Sequence, residues 1–155
     1  MVINVIMSVL CDTICVWALY FRDSAYRKHV LNLRSKYGLI IPDICFLEAS
    51  YPIYRAKGIE ELGKYSKFIE NLPLSKNIEI LKTGMEDLQE ALKIAAEEPE
   101  NFIDEENNLC LFDALIASIW ARTGMTLASR DPKLKNFGKK KRLKYIQLKK
   151  AITNP

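Results

Sequence analysis

Residues 2–11 are almost all apolar and rich in β-branched side chains, with no alternation between two faces. Such a run suits a strand covered on both sides, as in a parallel sheet between helical layers. At Asp12-Thr13 the pattern changes to helical spacing through Val16, Trp17, Leu19 and Tyr20, with the Asp or Thr as cap. Ser24 is placed to cap a second helix that carries Val30, Leu31 and Leu33 and ends at Tyr37-Gly38. Leu39-Ile40-Ile41 predicts a short buried strand. Pro42-Asp43 then opens a helix, because proline is tolerated in a first turn. That helix holds Ile44, Phe46, Leu47 and Glu48 and closes near Gly58.

The second half continues the alternation. Residues 60–71 predict a helix broken at Leu72-Pro73, and residues 78–81 a strand. Thr83 with Glu86 resembles a capping box ahead of a helix holding Leu88, Ala91, Leu92 and Ala95. After a polar, acidic connection, residues 109–122 are strongly helical, with Leu111, Leu115, Ile116, Ile119 and Trp120 toward the core and Gly124 as the stop. Residues 125–128 predict a strand ending at Ser129-Arg130-Asp131, and residues 143–148 a last edge strand. Strands alternating with helices predict a three-layer α/β/α sandwich around a mostly parallel central sheet. No repeat or linker divides the chain, so residues 1–155 are expected to form a single domain, long enough for a sizeable core.

Composition narrows this only a little. A charged fraction of 27% and a net charge of +4 are ordinary, so global charge argues weakly for a nucleic-acid partner. Distribution says more. Acids crowd residues 97–106 and bases crowd residues 133–150, an asymmetry able to create a local field for a polyanion. The alternative is a solvated lysine-rich tail. Cys11, Cys15, Cys45 and Cys110 show no CxxC pair and no zinc spacing; they read as free thiols in a reducing compartment. Residues 2–21 are long enough to span a bilayer, but Asp12 interrupts them, at a cost of roughly 2.5–3.5 kcal/mol on an insertion scale. No basic flank precedes the run and no small-residue cleavage site follows it, so no membrane segment is expected and a cytoplasmic location is.

The chemistry lies in the acids. Asp12 ends the first strand and Asp131 follows a later one, where ligands of open α/β sheets bind. Glu48 and Asp113 interrupt the apolar runs Ile44-Cys45-Phe46-Leu47 and Leu111-Phe112-Asp113-Ala114-Leu115-Ile116. A carboxylate in such a context is unusual unless paired or metal-bound. Each has a plainer explanation: a helix cap for Asp12, a turn residue for Asp131, a first-turn acid for Asp113, an exposed helix face for Glu48. If the four converge, each pair at ~5 Å and an effective dielectric of ~20 repels by roughly 3 kcal/mol. Protonation or a cation must relieve that repulsion, and oxygen-only ligands select hard ions such as Mg²⁺ or Mn²⁺.

The stretches Leu10-Cys11-Asp12-Thr13, Pro42-Asp43-Ile44-Cys45-Phe46-Leu47-Glu48, Phe112-Asp113-Ala114-Leu115-Ile116-Ala117 and Ser129-Arg130-Asp131 resemble the four acidic motifs of PIN domains, in order and over nearly the whole chain. Size and layout look most like the VapC-type toxins of toxin–antitoxin pairs. The resemblance implies a divalent-metal-dependent endoribonuclease in which Asp12, Glu48, Asp113 and Asp131 are catalytic, metal-binding acids. It implies supporting hydroxyls at Thr13 and Ser129, RNA as substrate, a small antitoxin as partner, and dimerisation. Two departures stand out. Pro52 falls within the helix after Glu48 and predicts a kink there. No second acid closely follows Asp113, which implies one firmly held ion and a second only with substrate.

Arg130 and Lys133 flank Asp131 and are the expected RNA-backbone contacts, with Arg22, Arg55 and Lys135 further off. Tyr51, Tyr54 and Trp120 are the candidates for base stacking. The lone His29 is assigned no catalytic role. A haloacid-dehalogenase-like phosphatase wants a second Asp two residues after Asp12, where Ile14 stands, and a receiver domain wants paired acids and a late lysine that are missing. The rival from another class is a catalytically inactive PIN-like module that binds RNA or a protein partner.

Overall fold

The computed structural model describes residues 8–152. Of the strand expected over residues 2–11, residues 2–7 therefore lie outside the described part, and β1 occupies Val9–Cys11. The chain continues through α1 (Thr13–Tyr20), α2 (Arg27–Lys36), β2 (Leu39–Pro42), α3 (Asp43–Lys57), α4 (Ile59–Asn71), β3 (Ile78–Leu81) and α5 (Met85–Glu97). It ends with α6 (Pro99–Phe102), α7 (Leu111–Thr123), β4 (Thr126–Ser129), α8 (Pro132–Lys141) and β5 (Tyr145–Gln147). The strands form one sheet in the order β3-β2-β1-β4-β5, with every pairing parallel.

From β1 the chain moves outward through β2 to β3, then returns across the sheet to β4 and β5 on the other side. Right-handed crossovers place α1–α4 over one face and α5–α8 over the other, which completes the α/β/α sandwich. Packing agrees: α1 meets α3, α3 meets α4, α5 meets α7 and α7 meets α8. The reversal of direction falls between β1 and β4, so a crevice opens at their carboxyl ends. Leu10, Cys11, Ile41, Leu127 and Ala128 are fully buried, as expected for strands covered on both faces.

Trp120 anchors the second helical layer. It is fully buried and donates its indole N–H to the Lys144 carbonyl at 3.1 Å. A Cβ on Gly138 would lie 2.0 Å from the Trp120 ring, so glycine lets α8 approach the tryptophan. This helix corrects the sequence reading. Residues 133–141 are not a solvated tail but an amphipathic helix that buries Leu134 and Phe137 and exposes its lysines. The connection after α5 also contains the one-turn α6, which buries Phe102.

Local corrections have local causes. The cap of α5 is Gly84, whose N–H donates to Asp87 at 3.1 Å; Thr83 donates its N–H and hydroxyl to Asp43 instead. Ser24 accepts from the Tyr26 N–H in the turn before α2 and does not cap that helix. Pro52 does not interrupt α3, which is continuous from Asp43 to Lys57; the proline only deprives the Glu48 carbonyl of its i+4 donor. Cys11 and Cys15 are joined by a disulfide, while Cys45 and Cys110 are free. The strand-to-helix turn brings the two Cα atoms to 5.9 Å, within the range a disulfide spans, although CxxxC is no standard pairing motif.

Candidate active site

Asp12 follows β1 directly and caps α1, its Oδ1 accepting the Ile14 N–H at 3.1 Å. Its Oδ2 accepts the hydroxyl of Ser129, the last residue of neighbouring β4. Ser129 is fully buried and its Oγ also accepts the Asp131 N–H at 3.1 Å. Asp131 in turn caps α8 by accepting the Lys133 N–H at 2.9 Å. Asp12 thus caps a helix as expected, and Asp131, expected as a turn residue, caps one too; the two acids lie at neighbouring strand ends. One hydroxyl ties the ends of β1 and β4 together and links the two acids.

Glu48 comes from the middle of α3 and accepts the hydroxyl of Thr13 at the start of α1. Asp113 comes from the first turn of α7, on the opposite face of the sheet. Asp12, Thr13, Glu48, Asp113 and Asp131 line a single cavity of about 630 Å³. Four segments distant in sequence thus deliver their acids to the crevice at the sheet's reversal point.

The electrostatics are one-sided. Burial, partly offset by the Ser129 hydrogen bond, pushes Asp12 up to about 7. Burial, then the charges of Asp131, Glu48 and Asp12, push Asp113 up to about 8. Glu48 is raised as well, by burial, against the lowering effect of Thr13. Among the described residues none of the four forms a salt bridge. Among those residues, too, no group of three or more His, Cys, Asp or Glu side chains stands placed to hold a metal ion. The acids surround an open cavity instead of gripping a point. An all-oxygen donor set, held up in pKa by burial and mutual repulsion and with none of its acids salt-bridged among the described residues, fits a hard divalent ion.

The basic groups divide sharply. Arg130 lines the acid cavity, donating from Nη1 to the Tyr26 hydroxyl at 3.1 Å with its guanidinium 5.2 Å from the ring centroid. Lys133 is exposed at the start of α8, and its backbone, not its ammonium, meets Asp131. The lysines at the far end of α8 lie toward the opposite pole of the sheet, where Lys140 pairs with Glu98 and Glu100. Trp120 is fully buried and unable to stack on RNA, while Tyr51 and Tyr54 are exposed on α3 and do not line the cavity. The aromatic side chains that do line it, Trp17 and Tyr26, were not singled out from the sequence. Trp17 carried a signal: it lies one helical turn after Thr13 and so shares its face. Tyr26, in a turn, carried none. His29 accepts the Lys149 N–H at 2.9 Å, a structural role.

The sequence model of one family, the PIN domain, matches residues 9–140. No curated protein matches the chain by sequence. Among solved structures, VapBC2 from Rickettsia felis bound to a DNA fragment from its promoter is similar at 20% identity and a TM-score of 0.62, over 92% of this chain and 100% of that one. VapC20 from Mycobacterium tuberculosis, a sarcin-ricin loop cleaving toxin, is similar at 14% identity and a TM-score of 0.63, over 84% and 95%. PAE2754 from Pyrobaculum aerophilum is similar at 19% identity and a TM-score of 0.61, over 94% and 92%. At these identities the likeness is one of fold.

Proposed function

This chain belongs to the PIN domain family, and from that premise we propose that it is a divalent-metal-dependent endoribonuclease, the toxin of a VapBC-type pair. The observation that carries the reading is the convergence of Asp12, Glu48, Asp113 and Asp131 on one cavity with, among the described residues, no cationic side chain paired to any of them. These four acids are the residues that would hold Mg²⁺ or Mn²⁺. When bound at such a site, a divalent ion stabilises the charge that develops on a phosphoryl group and its leaving oxygen.

The chain's own residues do the positioning. Ser129 and Thr13 hold the carboxylates of Asp12 and Glu48 in orientation through their hydroxyls, so that the acids need not rearrange when charge develops. Burial and the neighbouring carboxylates favour the protonated form of Asp113, so a cation held there would compete with that proton. Arg130, at the cavity wall, is the side chain best placed to meet an RNA phosphate, with Lys133 outside it. Fold-level similarity to VapBC proteins supports a small antitoxin as partner. Exposed Leu47, Tyr51 and Tyr54, at helical spacing on α3, support a homodimer. Among the described residues no helix is long and apolar enough to cross a membrane.

That no group of three or more His, Cys, Asp or Glu side chains among the described residues is placed to hold a metal ion favours one rival, a catalytically inactive module that binds RNA or a protein partner. The test is cleavage of a structured RNA pool with Mg²⁺, with Mn²⁺ and with EDTA, beside a folded Asp12→Asn variant. Asn keeps a side-chain oxygen for capping α1. Metal-dependent cutting that disappears in the variant is the expected result. Binding of metal and RNA without cutting by partner-free wild type would favour the module.

A further inference from the structure

The disulfide between Cys11 and Cys15 closes a covalent ring around Asp12, Thr13 and Ile14, and two of those residues belong to the acid site. Asp12 is one of the four acids, and Thr13 donates its hydroxyl to another, Glu48. We propose that this disulfide is a redox latch on the site: closed, it fixes the Asp12-Thr13 turn in the geometry an ion requires, and its reduction to two thiols lowers divalent-metal affinity. The proposal rests on the metal-site reading of the four acids and adds thiol control to it.

Both ends of the ring are anchored. Cys11 is the last residue of β1 and pairs with Ala128 of β4, while Cys15 lies in the first turn of α1. Both are fully buried, as is Cys45 of α3, whose thiol donates to the Cys11 carbonyl at 4.0 Å. Two thiols repel at the distance a disulfide bond spans, so reduction must part the sulfurs. A close-packed interior offers no empty space for that displacement. Strand and helix are the stiff partners, which leaves the turn between them to move.

The turn carries the site. Asp12 Oδ1 accepts the Ile14 N–H at 3.1 Å, a bond inside the ring, whereas Oδ2 accepts the Ser129 hydroxyl from outside it. A shift of the turn therefore pulls one oxygen against the other, and Thr13 passes the same shift to Glu48. The backbone bonds at this corner do not involve sulfur: the Asp12 N–H meets the Ala128 carbonyl at 3.4 Å, and the Cys15 N–H meets the Asp12 carbonyl at 3.0 Å. The fold thus survives reduction while the carboxylates lose orientation.

The step is thiol–disulfide exchange. Two glutathione thiols each give up a proton and join through a new S–S bond; the Cys11–Cys15 bond breaks, its sulfurs gain the two electrons, and each takes up a proton. Linkage makes the effect reciprocal. If the reduced state binds the ion less tightly, the ion favours the closed latch by the same factor.

The test sets the protein in glutathione buffers of graded thiol-to-disulfide ratio, with saturating Mg²⁺, which thiols hold poorly, or with EDTA. Closed latches are counted by acid trapping, alkylation in denaturant and peptide mapping. Calorimetry then gives the Mg²⁺ affinity of oxidised and of reduced protein. Expected is an affinity about tenfold lower in the reduced state at unchanged circular dichroism, with the glutathione midpoint displaced by the same factor when Mg²⁺ is present. Cys15→Ala, or Cys11→Ala should the first variant fail to fold, should bind as weakly as reduced protein in either buffer. Cys110→Ser should keep the full response, because that thiol is free. Equal affinities in the two states, a midpoint that Mg²⁺ does not move, a bond mapped to other cysteines, or a protein that no ratio oxidises overturns the proposal. The two readings fail separately. A redox-dependent affinity without RNA cleavage keeps the latch and removes the nuclease. Ion binding and cleavage indifferent to redox state keep the nuclease and remove the latch. No Mg²⁺ uptake in either state removes the metal site, and the latch with it.

Discussion

Two groups of acids in this fold behave in opposite ways. Asp12 is buried and Glu48 and Asp113 are half-buried around the same cavity, and all three are raised in pKa, chiefly by desolvation. Glu100 and Asp104, in the acidic stretch after α5, are lowered. Glu100 is held down by its own backbone N–H and by Lys140, and Asp104 by backbone and side-chain bonds from Asn108. Sequence density alone points to the second group, where acids crowd together. Chemistry points to the first, where each acid stands alone in an apolar run and meets the others only through the fold. Carboxylates that solvent, backbone N–H groups and lysines already satisfy have no use for an ion; buried ones without a cation do.

The largest break in that contrast is the exchange of one acid from each set. Asp12→Asn is expected to lower RNA cleavage by at least ~100-fold, whereas Asp104→Asn changes it by less than about threefold, read from initial rates at saturating Mg²⁺. Next comes the hydroxyl that joins Asp12 to Asp131. Ser129→Ala removes a bond that stabilises the Asp12 carboxylate, and metal affinity should fall by roughly 10-fold, measured by calorimetry.

The pH dependence of stability separates the two sets in sign. Asp12 and Asp113 rise from 3.8 to about 7 and about 8 in the folded chain. Their protonated forms favour the fold, so this stability is complete below the unfolded value of 3.8 and is lost as pH rises through the folded values of about 7 and 8. Asp104, being lowered, works the other way: its contribution is present above the unfolded value and fades as pH falls through the folded one. Metal-free protein should therefore soften toward pH 8, and Mn²⁺ should raise Tm more at pH 8 than at pH 5 in thermal melts. If Mn²⁺ moved Tm equally at both, the two sets would not differ as described.

Smaller effects belong to the scaffold they share. Gly138→Ala drives a methyl into Trp120 and should cost about 1–3 kcal/mol by denaturant titration, without altering metal affinity per folded molecule. Lys140→Gln should leave the unfolding midpoint where it is, because its pairs with Glu98 and Glu100 are at the surface.

Much of this was legible in the chain itself. The uninterrupted apolar runs announced strands buried on both faces, and an aspartate just past a strand end announced a site. The failures are equally physical. α8 was obscured because only Leu134 and Phe137 mark its buried face among the lysines, and a two-residue stripe gives no convincing period. Thr83 looked like a cap because its best partner, Asp43, lies 40 residues away. The Cys11–Cys15 bond depends on the geometry of a strand-to-helix turn that no spacing rule encodes. Trp17 was placed only in the first helix, because helical spacing fits an inward face and a cavity wall equally well.

The central claim is that the buried acids are held for a divalent ion. Its most direct test is calorimetry of Mn²⁺ binding at pH 7 in two buffers of different ionisation enthalpy, for wild type and folded Asp113→Asn. The account predicts saturable binding by wild type whose heat changes with the buffer, because Asp12 and Asp113, at about 7 and about 8, must release protons to the solution. It predicts sharply weakened binding in the variant. Folded wild type that takes up no Mn²⁺, or a variant that binds it as tightly with the same proton release, would contradict it.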